Sequence, residues 1–242
     1  MKIRIALILA PILLLAGFAL AQKPADTVPA KGGDVDSKVI EFQKPSYPLD
    51  TCPISGEKLG GMGEPVDMVV DGHLVRLCCG GCKKGVEKDK AAVIKKIAEA
   101  VVAQQSVGYP MKTCPISGEE MKKPVDHVVG TRLVRFCCTD CVKTFDNEPA
   151  KQMEAMAKLD AAWIESQKAK YTVTKCPVSG EELDAKAVDV LYGTRLVRLC
   201  CKNCVREFHK KPEPVLAKLA EQQKAAPAAK EAEKRDGEKK GH

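Results

Sequence analysis

All twelve cysteines of this chain belong to a unit that is written three times. The first copy reads Cys52-Pro-Ile-Ser-Gly-Glu, then Leu74-Val-Arg-Leu-Cys78-Cys79-Gly-Gly-Cys82. The second reads Cys114-Pro-Ile-Ser-Gly-Glu, then Leu133-Val-Arg-Phe-Cys137-Cys138-Thr-Asp-Cys141. The third reads Cys176-Pro-Val-Ser-Gly-Glu, then Leu196-Val-Arg-Leu-Cys200-Cys201-Lys-Asn-Cys204. The copies start 62 residues apart, at 52, 114 and 176, and a fixed period marks duplicated structural units. Units this short bury too little apolar surface to fold easily unaided. Aromatic residues are only 4% of the chain, so a covalent or metal staple is expected in each unit.

The order within a unit predicts its fold. Proline and glycine make Cys-Pro-x-Ser-Gly a tight bend. A β-branched stretch follows at 66–70, 125–129 and 188–192, then a turn at Asp71-Gly72, Gly130-Thr131 or Gly193-Thr194. A second apolar stretch leads into the double cysteine, so each unit carries a β-hairpin. The last cysteine is read as opening a helix, with Val86, Phe145 and Phe208 at one shared core offset. A longer amphipathic helix then runs over 91–105, 150–168 and 214–222. Pro149, Pro212 and, in the first copy, Lys90 precede it. The fold class is therefore α+β, with three tandem treble-clef or ribbon-like units joined by amphipathic helices.

The boundaries follow: a signal peptide at 1–21, a flexible leader at 22–47, repeats at 48–105, 106–168 and 169–221, and a disordered tail at 222–242. Lys2, Arg4, the apolar run from Ile5 to Leu20 and the small-x-small Ala19-Leu20-Ala21 compose the signal. Export to a periplasm or to the outside is the expectation, with no stable membrane insertion after cleavage. The formal charge is +7 and is spread as Lys mixed with Glu. No basic stripe interleaved with aromatics is present, which argues against nucleic acid.

Three chemistries compete for the cysteines: metal, disulfide and thiol redox. Sulfur-rich sites select soft ions, Zn(II) or Cu(I) before Mg or Ca. Cys78 and Cys82 are four apart, and Cys79 and Cys82 three apart; both spacings suit chelation from a turn that enters a helix. Oxidising compartments favour disulfides, so a disulfide-stapled interaction scaffold stands as an alternative. Cys79-x-x-Cys82 at a helix start leaves a redox protein as another. Strand alternation would point Cys79 away from Cys78 unless the strand has turned, making it either a fourth ligand or a small buried hydrophobe. A cysteine stands there in all three copies, which favours the ligand. All twelve cysteines are thus candidate ligands: Cys52, Cys78, Cys79, Cys82, Cys114, Cys137, Cys138, Cys141, Cys176, Cys200, Cys201 and Cys204.

A cysteine, a long gap, [Leu/Phe]-Cys-x-x-x-Cys and then Asn-Glu-Pro or Lys-Lys-Pro resembles the TRASH and YHS heavy-metal-binding domains. The resemblance covers the core of each repeat. It implies metal-site cysteines at Cys52, Cys78, Cys82, at Cys114, Cys137, Cys141, and at Cys176, Cys200, Cys204. It also implies heavy-metal trafficking, sensing or resistance. Cys79, Cys138 and Cys201 lie outside its three-cysteine pattern.

Other residues are weaker candidates. Met62 and Met121 occupy different places and read as core or surface. His73, His127, His209 and His242 do not correspond between copies. Arg76, Arg135 and Arg198 do correspond; by strand alternation they share a face with the thiols and are read either as lowering thiol pKa or as exposed hairpin residues. Ser55, Ser117 and Ser179 lack a repeated histidine, so turn stabilisation accounts for them and no enzyme is expected. The overall expectation is an exported binder of soft metal ions, with an envelope or metal-transport protein as its partner.

Overall fold

The computed structural model describes residues 32–239, with side chains from 34 to 225; the signal peptide and the start of the leader lie outside the described residues. Helix α1 (Gly32–Gln43) and a 3-10 turn (Lys44–Ser46) precede the first unit. That unit holds β1 (Val66–Val70), β2 (His73–Leu77), a 3-10 turn (Gly80–Cys82), α2 (Lys83–Lys88) and α3 (Lys90–Gln105). The second holds β3 (Val125–Val129), β4 (Arg132–Phe136), α4 (Thr139–Asn147) and α5 (Pro149–Lys168). The third holds β5 (Val188–Tyr192), β6 (Arg195–Leu199), α6 (Lys202–Lys210) and α7 (Pro212–Lys239). The third long helix therefore continues well beyond Gln222.

Each sheet is one antiparallel hairpin, in the same register three times: Val66 opposite Leu77, Val125 opposite Phe136, Val188 opposite Leu199. A two-stranded hairpin is marginal alone, and each here gains a helix on its face. Val86, Phe145 and Phe208 are fully buried as the shared offset predicted. Phe145 meets Phe136 at 5.2 Å between ring centroids, and Phe208 meets Tyr192 at 5.2 Å. Helices α4 and α6 begin two residues before the last cysteine, which lies in their first turn, whereas in the first unit Cys82 ends the 3-10 turn and caps α2, opening it as read.

The leader reading fails for residues 32–46, which are ordered and docked. Gln43, 6% exposed, donates from Nε2 to the Gly72 carbonyl at 2.7 Å and accepts the Leu74 N–H at 2.8 Å. Gln105 does the same to Thr131 and Leu133, and Gln167 to Thr194 and Leu196. Each glutamine ends one helix and clamps the hairpin turn of the next unit. A tyrosine four residues on completes the joint. Tyr47, Tyr109 and Tyr171 accept the N–H of Arg76, Arg135 and Arg198. Helix α1 is thus the first unit's share of a joint that α3 and α5 supply to the others.

The three hairpin turns meet at the same short segment. Thr131 Oγ1 donates to the Gln43 carbonyl at 2.8 Å and lies 2.7 Å from Ser46 Oγ. A Cβ on Gly193, at φ +64°, would stand 2.7 Å from the Pro45 carbonyl oxygen. One on Gly130, at φ +60°, would stand 2.7 Å from the Gln43 side chain. Glycine is needed at both for conformation and for room.

Candidate metal centre

Each centre is assembled from a bend and a hairpin end. In the first bend the Gly56 N–H closes on the Cys52 carbonyl at 2.9 Å, and the Cys52 N–H donates to Glu57 O at 2.7 Å. Gly56 takes φ +78°, which reverses the chain. Gly118 and Gly180 repeat this at +78° and +81°. Lysines of the long helices pin two of the bends from outside: Lys96 Nζ donates to Pro53 O at 3.0 Å and Lys158 Nζ to Pro115 O at 3.1 Å. The buried bend cysteine then faces the turn that follows β2, β4 or β6.

Three sulfurs converge in every unit. Those of Cys52, Cys78 and Cys82 lie within 4.8 Å of one another, as do those of Cys114, Cys137 and Cys141, and of Cys176, Cys200 and Cys204. The separations are 3.8 Å for Cys78–Cys82, 3.7 Å for Cys137–Cys141 and 3.5 Å for Cys200–Cys204. Zinc–sulfur bonds of about 2.3 Å at tetrahedral angles place sulfurs about 3.8 Å apart. The triads therefore already have the spacing that one ion requires. All twelve cysteines are unbridged. Among the described residues these three all-cysteine groups are the sets of His, Cys, Asp and Glu close enough to hold an ion.

Cys79, Cys138 and Cys201 stand beside the triads, outside the mutually close sets. The strand ends at Leu77, so both members of the pair lie in the turn and alternation does not separate them. Cys78 and Cys79 sulfurs are 4.0 Å apart, Cys137 and Cys138 3.8 Å. None of the three is buried, and Cys138 is exposed, so the small-buried-hydrophobe reading fails. Each precedes a helical turn whose free N–H groups favour a thiolate. The Gly81 N–H lowers the Cys79 pKa, and the N–H groups of Cys141 and Cys204 do the same for Cys138 and Cys201.

The triad thiols are unequal. Burial pushes the Cys52 thiol up, but the Ser55 N–H and hydroxyl, with the N–H groups of Cys78 and Ile54, outweigh it and hold the pKa at about 6. Cys114 and Cys176 reach about 7 through the same bend. Burial and the adjacent sulfurs push Cys82 and Cys141 up to about 12. Each centre thus pairs an acidic thiol with one that keeps its proton until an ion displaces it.

Ser55, Ser117 and Ser179 do more than stabilise the bend. Each hydroxyl lies 3.3 Å from the middle sulfur, Cys78, Cys137 or Cys200. Each also accepts the N–H of the glutamate two residues on, which fixes its direction. The repetition of Ser within the bend was the signal for this role. The repeated arginines do not tune the thiols. Arg76 Nε pairs with Asp67 at 2.8 Å, Arg135 with Asp126 at 2.8 Å and Arg198 with Asp189 at 2.7 Å. Their guanidinium groups lie over Tyr47, Tyr109 and Tyr171. They brace the hairpin. His127 bonds to Asp146 at 2.9 Å, Met62 is exposed and Met121 packs on the second core. His242 lies outside the described residues.

Comparison with known protein families, curated proteins and solved structures gives no match. The likeness to TRASH and YHS domains rests on the sequence pattern alone. Three repeated units, each able to hold a metal ion between three cysteines, stand independently of it.

Proposed function

We propose that this chain is an exported binder of thiophilic ions, Zn(II) or Cu(I), that buffers them or hands them to a transport or other envelope protein. The observation that carries this reading is the threefold recurrence of a sulfur triad already at ion-binding spacing. A disulfide framework would leave those spacings without a purpose, since a bridge brings two sulfurs to about 2.05 Å. Carriage, rather than purely structural use, is supported by the number of contacts that hold each unit together apart from any ion. The glutamine clamp, the Tyr–Arg–Asp brace and a core of its own serve every hairpin. The unpaired thiol beside each triad offers an entering or leaving ligand. The export signal read at 1–21 and the spacing likeness to heavy-metal domains point the same way.

The test is elemental analysis with thiol titration on reduced full-length protein. Uptake of about three ions per chain, one per closed set of thiolates, is expected. Chelation should then remove them while the circular dichroism of the hairpins and helices persists. Twelve oxidised cysteines and no uptake would overturn the reading in favour of a disulfide scaffold. Loss of folded structure on chelation would assign the ions a structural role.

A further inference from the structure

The bend motif ends in a glutamate in every copy, Glu57, Glu119 and Glu181, yet the three carboxylates stand differently. In the third unit Glu181 Oε2 lies 3.1 Å from the Cys200 sulfur, the shortest of that thiol's hydrogen bonds. In the second, Glu119 Oε2 lies 3.6 Å from Cys137. In the first, the bonds of Cys78 run to Ser55, Cys79 and Cys82, and Glu57 reaches none of the thiols. The next residue follows the same division. It is Lys58 in the first unit, but Glu120 and Glu182 in the others.

We propose that the three centres are graded in hardness. The second and third present three sulfurs and one carboxylate oxygen, with Glu119 and Glu181 as fourth donor, and select a divalent ion such as Zn(II). The first presents sulfur alone, with Cys79 at the fourth position, and favours Cu(I). This rests on the ion-binding reading above. An S–H···O bond marks a place where a cation, the proton, already sits between sulfur and carboxylate. An ion that displaces that proton meets both donors. Oxygen donors suit harder ions and thiolates softer ones. The carboxylates stand outside the mutually close sulfur sets, so they close on the ion by rotation of an exposed side chain.

The experiment uses full-length protein and its E57Q, E119Q and E181Q variants. All three positions are exposed, and glutamine keeps their shape, so folding is not at risk. Zn(II) is titrated against a chromophoric zinc chelator and Cu(I) against a Cu(I) chelator. E119Q and E181Q should each weaken one of the bound Zn(II) ions by about tenfold or more, the scale on which groups around a metal shift its affinity. Their Cu(I) curves should not move, and E57Q should change neither. Equal effects of E57Q and E181Q on Zn(II), or no effect from any variant, would overturn the gradation while leaving ion binding intact. Wild-type protein that takes up neither ion would overturn the ion-binding reading and the gradation with it.

Discussion

Replacing Gln105 by methionine should destabilise the second hairpin by about 3 kcal/mol. Gln105 is 3% exposed at the end of α3, and its amide makes two bonds to backbone. Nε2 donates to Thr131 O at 2.8 Å, and Oε1 accepts the Leu133 N–H at 2.9 Å. Thr131 and Leu133 are both fully buried, so water cannot replace the lost partner. Methionine keeps the volume of the side chain and strands both backbone groups. Each stranded group costs about 1–3 kcal/mol, or about 2–6 kcal/mol for the pair. Removing the glutamine's own buried amide offsets part of this, which places the net in the lower half of that range. Amide exchange of Leu133 should accelerate by about a hundredfold, since about 1.4 kcal/mol corresponds to a factor of ten. Urea unfolding should show a matching loss. Gln167→Met is the internal comparison. Gln167 and Thr194 are only half-buried, so the smaller loss is expected there. A change below about 0.5 kcal/mol at Gln105, or equal losses at both sites, would show that the clamp does not hold the hairpin.

Two further outcomes follow from the same geometry. The Cys52 thiol ionises at about 6 and the Cys82 thiol at about 12, so an ion entering at neutral pH must expel the Cys82 proton. Affinity should therefore rise with pH through the neutral range and fall more steeply once Cys52, Cys114 and Cys176 take up protons near 6 to 7, as pH-stepped competition titrations would read. For ion-free protein the sign of the linkage differs between the two kinds of thiol. The depressed bend cysteines add stability above their unfolded pKa and lose it as pH falls toward 6. The raised Cys82 and Cys141 give up stability as pH climbs from about 9 toward 12, so melting temperature should peak between these ranges. Separately, Phe145→Ala removes a fully buried ring packed on Phe136 and should cost about 3–5 kcal/mol, with loss of the second ion. Uptake of all three ions by that variant would show that the triad does not depend on the hairpin–helix core.

The hairpins and the triads were legible because their causes are local and repeated. Apolar stretches on either side of Asp71-Gly72, Gly130-Thr131 and Gly193-Thr194 define the strands, and the first strand of each hairpin is observed at the bounds read. Val86, Phe145 and Phe208 announce themselves by a shared offset from the cysteines. The joint was not legible. Residues 32–46 carry little apolar periodicity, and their order comes from polar bonds to residues far along the chain, such as Gln43 to Leu74 and Ser46 to Thr131. The recurrence of Gln43, Gln105 and Gln167, and of Tyr47, Tyr109 and Tyr171, with the same 62-residue period as the cysteines, was the available signal. The role of the arginines stays open between two readings in the sequence because alternation gives a face but not a partner. Asp67, Asp126 and Asp189, directly across the ladder, claim them first.

The convergence of the hairpin turns on residues 43–46 also governs how the ions relate to one another. The first two turns are bonded to that segment and the third packs against it, and the returning strand leads away: β2 from His73 to Leu77, with Cys78 next. Strands rise about 3.3 Å per residue, so the six steps from Gly72 to Cys78 carry the sulfur about 20 Å from the joint. The triads therefore sit at the far ends of the hairpins. Each draws its thiols from one unit alone, with no cysteine shared between sets. A polynuclear cluster needs bridging thiolates and fills cooperatively. Three sets without a common sulfur would fill as separate single-ion sites. Duplication in this chain thus repeats the set of three thiols without sharing a sulfur between sets.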